Sequence, residues 1–198
     1  MAHHNLPIAT PGLRIGLLGG SFNPAHEGHL QISLEALKRL ELDWVWWLVS
    51  PQNPLKAEKE TKPLADRLEA ASYYAQHPRI FISNLEHQLG TQYTIDTAHR
   101  LKARWPQTRF VWLMGADILP QLPEWKNWTQ LMEIMPIAIF DRPGYDLQAL
   151  SSLAAQRYRD NRWDESDAAG LATATAPAWC FIHGCQHPES STALRTQQ

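Results

Sequence analysis

The stretch Arg14-Ile15-Gly16-Leu17-Leu18-Gly19-Gly20-Ser21-Phe22-Asn23-Pro24-Ala25-His26-Glu27-Gly28-His29-Leu30 contains one complete unit of the fold. Arg14 to Leu18 is a short apolar run closed by glycines, which reads as a strand. Leu30, Leu34 and Leu37 recur at i, i+4 and i+7, which is the inner face of an amphipathic helix beginning near Ala25. Between them lies a loop rich in Gly, Ser, Asn and Pro, the composition of a tight strand-to-helix turn.

The same alternation continues outward. Apolar runs bounded by turn residues recur at Trp44 to Val49, Arg79 to Ser83, Arg109 to Met114, Ile137 to Phe140 and Trp179 to His183. Pro63 with Leu64, Leu68 and Ala71 reads as a proline-started helix, and a further helix starts at Thr94 with Ile95, Ala98 and Leu101 inward. The strand runs are continuous rather than alternating, as expected when both faces of a sheet are covered. The expected class is therefore α/β, a doubly wound and mostly parallel sheet with helices on either side. Ala149 to Tyr158 is expected to be helical, and Asp160 to Pro177 to be a surface excursion.

The chain has 198 residues, enough for one full domain with a small addition. Residues 1–13 read as a short, mobile leader without the cationic start and apolar core of a secretory signal. Lys and Arg total 18 against 20 for Asp and Glu, a formal net charge of -2, so no overall positive field exists to hold nucleic acid or an anionic membrane. No apolar run approaches the roughly 18 residues of a membrane span. Cys180 and Cys185, with His183 and His187 nearby, lack the paired spacing of a zinc knuckle and read as a buried and a loop cysteine. The cytoplasm is the expected compartment. Nine tryptophans are a surplus for which core packing is the expected use.

Chemistry is expected at the carboxyl ends of the strands, first in the loop after strand one. That loop lacks the Gly-Lys-Ser/Thr ending of a Walker A motif and is not a GxGxxG fingerprint. It does offer glycines, a hydroxyl at Ser21, and two imidazoles, His26 and His29, at the mouth of a helix N-terminus, where they can donate hydrogen bonds to phosphate. Asp117 is either a helix cap or an acceptor for ribose hydroxyls. Trp125 and Trp128, three apart, read as neighbours on one helix face.

His26-Glu27-Gly28-His29 resembles the HxGH signature of the nucleotidyltransferase superfamily. Four further segments, in order, narrow the resemblance to bacterial nicotinate-nucleotide adenylyltransferases: Ser50-Pro51-Gln52-Asn53-Pro54-Leu55-Lys56; Gln92-Tyr93-Thr94-Ile95-Asp96-Thr97; Met114-Gly115-Ala116-Asp117 with Trp125; and Arg142-Pro143-Gly144 with Ser190-Ser191-Thr192-Ala193-Leu194-Arg195. The resemblance implies a single nucleotidyltransferase domain over residues 14–198 that joins ATP, with its Mg²⁺, to nicotinate mononucleotide. It assigns His29 to the α-phosphate and His26 to the neighbouring phosphates, with Lys56 and Arg195 offsetting charge. It places Gly19, Gly20, Ser21, Phe22, Gly115, Asp117, Arg142, Ser190, Ser191 and Thr192 around ATP. Asn53, Tyr93, Thr94 and Trp125 fall to the mononucleotide, Trp125 stacking on the pyridine and Thr94 facing its carboxylate. The sequence departs from the pattern at Glu189, where relatives carry an apolar residue. Two other readings stay open: the same chemistry on nicotinamide mononucleotide or phosphopantetheine, and a non-catalytic nucleotide-binding module.

Overall fold

The structure, a computed structural model, describes Pro7, residues 9–51 and residues 61–184. Among them seven strands form one sheet: β1 (Arg14–Gly20), β2 (Trp44–Val49), β3 (Ile80–Ser83), β4 (Arg109–Gly115), β5 (Ile137–Phe140), β6 (Arg162–Trp163) and β7 (Trp179–Ile182). Their spatial order is β3-β2-β1-β4-β5-β7-β6, and every pairing is parallel. The winding reverses between β1 and β4, so the crevice at their carboxyl ends is the switch point where such sheets bind ligands.

Helices cover both faces. Successive residues of a strand point to opposite sides, and the adjacent tryptophans of β2 divide accordingly. Trp46 joins one core with Leu17, Trp112 and Ile139; α4 (Thr94–Arg104) and α5 (Trp128–Ile134) cover this face. Trp47 joins the other core with Leu18, Val111 and Phe140, under α1 (Glu27–Arg39) and α2 (Leu64–Tyr74). A short α3 (Leu85–Leu89) precedes α4.

Several boundaries differ from the sequence reading. β1 extends through Gly19 and Gly20, which pair with Leu48 and Val49, so the two glycines end the strand rather than open the loop. Gly19 lies against the Trp112 ring: a Cβ there would sit 2.7 Å from Cζ2, which excludes any larger residue without a shift of a buried indole. α1 begins at Glu27, two residues after Ala25, and its buried face is Ile32, Ala36 and Leu37 rather than Leu30, Leu34 and Leu37, since Leu34 is exposed; His26 is extended (φ -154°, ψ 169°) and is the N-cap. The two histidines are thus a cap and a first-turn residue, not two members of one helical face.

The expected helix over 149–158 is two short ones, α6 (Asp146–Leu150) and α7 (Leu153–Arg157). Ser152 divides them, because its hydroxyl caps the second by accepting from Ala155 N at 3.3 Å. The expected excursion over 160–177 is part of the body: β6 pairs with β7, and 3-10 turns over Glu165–Thr173 bury Ala168, Leu171 and Ala172 in the α1-side core. Small residues without a helical period hid that packing. Trp125 and Trp128 do not share a helix face. Trp125 closes the proline-bearing 3-10 turn Leu119–Glu124, and Trp128 opens α5 after Asn127 at φ 49°. Within the segment read as a leader, Pro7 is buried, Ala9 and Leu13 pack on the core, and Gly12 N donates to Gln107 O at 2.9 Å.

Candidate active site

The carboxyl ends of β1, β2 and β4 gather the polar residues of the crevice. From β1 the chain passes through Ser21 and Phe22, the latter at φ 47°, to His26. His26 is 1% exposed, and its ring centroid lies 3.8 Å from that of His29. His26 N donates to His29 Nδ1 at 3.2 Å, while His29 N donates to His26 O at 3.0 Å. The first bond makes Nδ1 an acceptor, so the neutral ring carries its proton on Nε2. That proton is available to a ligand oxygen.

The His29 ring is held from several sides. Phe22 lies 4.6 Å away and stacks on Trp47 at 5.0 Å with 17° between planes. Trp47 Nε1 donates to Ser33 Oγ at 2.7 Å, and Ser33 Oγ donates to His29 O at 2.8 Å. One tryptophan therefore fixes both the aromatic wall and the first turn of α1. Burial lowers the His29 pKa well below the ordinary imidazole value, and the positive ends of His26 and Arg142 lower it further. His29 is consequently neutral at physiological pH, a hydrogen-bond donor rather than a fixed cation.

Arg142 enters from the end of β5, and its Nε pairs with Asp117 Oδ1 at 3.2 Å. Asp117 follows β4 and is no helix cap, since Ile118 holds that position for the 3-10 turn behind it. The pair leans against Gly115, where a Cβ would lie 2.5 Å from Asp117 Oδ1 and 2.9 Å from Arg142 Nε. Glycine is required there by the closeness of this ion pair.

A second group lies at the start of α4. Tyr93 is the N-cap and Thr94 the first helical residue, whose backbone N–H has no acceptor within the helix. Lys126, beside Trp125, places its ammonium 4.5 Å from the Tyr93 ring centroid and 3.0 Å from Asp96 Oδ2. Lys126 was not singled out by sequence reasoning; its adjacency to Trp125 was the available signal. Behind Tyr93, Thr97 Oγ1 donates to the buried Glu86 carboxylate at 3.1 Å, and burial pushes the Glu86 pKa up to about 7.

The structure thus joins His26, His29, Phe22, Gly115, Asp117 and Arg142 at the β1/β4 switch point, with Gly19, Gly20 and Ser21 at the strand end. Tyr93 and Thr94 form the second group with Lys126, which follows Trp125 in the chain. Asn53, Lys56, Ser190, Ser191, Thr192 and Arg195 lie outside the described residues, as do Cys185 and His187. Cys180 is buried, and burial raises its pKa to about 11, so it is an inert thiol. Among the described residues no trio of His, Cys, Asp or Glu could cage a metal ion, and no helix is long and apolar enough to cross a membrane.

Known proteins resemble this chain over nearly its whole length. Residues 17–197 match the cytidylyltransferase-like family. A probable nicotinate-nucleotide adenylyltransferase of Parvibaculum lavamentivorans is 52% identical, covering 95% of this chain and 94% of that protein. One from Caulobacter is 51% identical over 94% of this chain and 98% of its own. Among solved structures, Plasmodium falciparum nicotinic acid mononucleotide adenylyltransferase complexed with NaAD superposes with a TM-score of 0.69 at 16% identity, over 93% of this chain and 83% of that one. At that identity the likeness speaks for the fold, and the close sequence relatives speak for the family. The chain belongs to the cytidylyltransferase-like family and, within it, to the nicotinate-nucleotide adenylyltransferases.

Proposed function

We infer that this protein transfers the adenylyl group of ATP to nicotinate mononucleotide, giving nicotinate adenine dinucleotide and pyrophosphate in NAD biosynthesis, in the cytoplasm. The observation that carries the reading is the His26–His29 pair at the N-terminus of the 13-residue helix α1, beside Arg142 at the switch point. A helix N-terminus, two imidazoles and a guanidinium suit polyphosphate.

In the reaction a phosphate oxygen of the mononucleotide bonds to the α-phosphorus of ATP as the bridging bond to the β-phosphate breaks, and pyrophosphate leaves with the electron pair. No protein nucleophile is required; alignment and stabilisation of the charge on the transferring group supply the catalysis. His29 Nε2–H donates to the α-phosphate and His26 to the neighbouring phosphates. Asp117, steadied by Arg142, accepts from ribose hydroxyls, with Gly19, Gly20, Ser21, Phe22 and Gly115 forming the backbone wall. Lys56 and Arg195 offset charge, and Ser190, Ser191 and Thr192 hold the β- and γ-phosphates, as the resemblance assigns. Among the described residues the ligand atoms here are nitrogens and one ion-paired carboxylate, which form no cage for magnesium; the metal comes with ATP as MgATP.

The mononucleotide lies toward α4. Asn53 contacts it, Trp125 stacks on the pyridine, and Tyr93 and Thr94 present the helix start to its carboxylate. A ring bearing a neutral amide would bring no negative charge to that terminus, which favours the acid. The test is pyrophosphate release by purified protein given MgATP and, in parallel, nicotinate mononucleotide, nicotinamide mononucleotide or phosphopantetheine. Release with nicotinate mononucleotide well above the others is expected; no release with it would sink the reading.

A further inference from the structure

Arg67 lies on the inner face of α2 and is 2% exposed. Its guanidinium reaches four backbone carbonyls from three segments. Nη1 donates to Ser21 O and to Ser50 O, both at 2.7 Å; Nη2 donates to Pro51 O at 2.9 Å; Nε donates to Lys62 O at 2.8 Å. Burying a cation is costly unless its donors are satisfied, and these carbonyls satisfy them in a planar fork that a lysine cannot reproduce.

The Ser21 carbonyl has the most direct consequence. A trans peptide is planar with C=O and N–H opposed, so holding Ser21 O against the guanidinium points the Phe22 N–H away from it. The Phe22 side chain is meanwhile fixed by Trp47 and His29. The Ser21–Phe22 peptide is therefore held at both ends. A further tie, Lys62 N to Asn23 Oδ1 at 3.3 Å, joins the same loop to the entry of α2.

We propose that Arg67 is a positioning residue for ATP: by clamping the carbonyls of Ser21, Ser50, Pro51 and Lys62 it orients the Ser21–Phe22 peptide so that the Phe22 N–H faces the phosphates. This rests on the nucleotidyl-transfer reading above. The test compares wild type with Arg67→Lys and Arg67→Ala by circular dichroism, melting and steady-state kinetics. The KM for ATP is expected to rise at least tenfold in both variants, while the KM for nicotinate mononucleotide changes less than threefold. Millimolar guanidinium is expected to lower the ATP KM of Arg67→Ala, and methylammonium to leave it unchanged.

A folded Arg67→Lys with an unchanged ATP KM would overturn the proposal. So would a loss of activity that only follows the unfolded fraction, or failure of Arg67→Lys to fold, since either makes the residue purely structural. Should wild type fail to turn over nicotinate mononucleotide, the functional reading falls by itself and Arg67 is judged by calorimetric ATP binding, with the same tenfold loss expected. Wild type that binds no ATP would overturn both.

Discussion

His29 combines a neutral ring, a fixed tautomer and a position in the first turn of a helix. Because Nδ1 accepts from the His26 backbone, one tautomer is selected before any ligand arrives, and donation from Nε2 needs no reorganisation. The burial that lowers its pKa also sets a sign: the neutral form persists as pH falls through 6.5, where an exposed imidazole would be half charged. Nitrogen NMR should therefore show His29 as the Nε2–H tautomer with a titration midpoint below 6.5; a midpoint at or above that value would contradict the geometry. Replacing His29 by Ala is expected to lower kcat by about 100-fold or more, on the scale of losing a preorganised oxyanion donor, with the circular dichroism spectrum unchanged. The spacing of His26 and His29 made this pair legible, because motif and helix start coincide in the sequence. The partners of Arg142 and Lys126 were not legible, since Asp117, Tyr93 and Asp96 reach them from elements distant along the chain.

Two elements, α3 and α4, show how a buried carboxyl can brace a turn. Glu86 of α3 accepts from Thr97 of α4, and Thr97 Oγ1 also meets Thr91 Oγ1 at 2.9 Å, so the 90–94 turn is closed from within. The Glu86 pKa of about 7 against an unperturbed 4.5 means that the folded protein holds a proton the unfolded chain releases between those values. Stability is then greatest below 4.5 on this account and declines as pH rises toward 7, by up to about 3 kcal/mol. Glu86→Gln should flatten that part of the melting-temperature profile; an equally steep decline in the variant would show that other groups cause it. Periodicity found α2 and α4 because each buries the apolar stripe read for it; it found α1 as a helix but misplaced its inner face, which Ile32, Ala36 and Leu37 form while Leu34 faces outward. It could not find the break between α6 and α7, where the Ser152 cap competes with a continuous helix, or the start of α1, which the cap at His26 decides.

For the whole molecule the two cores explain most of the aromatic surplus. Trp46, Trp47, Trp112 and Trp179 are fully buried, and Trp46 meets Trp105 at 5.6 Å and Phe110 at 5.8 Å in edge contacts. The doubly wound class was legible in the chain because continuous apolar strands can only be covered on both faces. The role of 160–177 was not, because Ala168, Leu171 and Ala172 contribute to the core through 3-10 turns that leave no period. Leu171→Ala should cost about 2–5 kcal/mol, the range for truncating a buried leucine, read as a lower urea midpoint; a loss under 1 kcal/mol would return the segment to the surface. A net charge of -2 provides no general positive field, so polyanionic substrates must be met by local groups, such as His26, His29 and Arg142 at the switch point.

The contact between Gly19 and Trp112 joins the end of β1 to the neighbouring strand β4 in heredity as well as in space. A methyl group at 19 would collide with the indole at 2.7 Å, yet the smaller ring of a phenylalanine at 112 would vacate the colliding atoms. Gly19→Ala alone should be strongly destabilising, and Trp112→Phe should recover part of that loss in a double-mutant cycle, a favourable coupling where independent sites would simply add. Positions 19 and 112 are then free to drift only as a pair, and a mutational library that varies the end of β1 without β4 would lose its members that carry a side chain at 19.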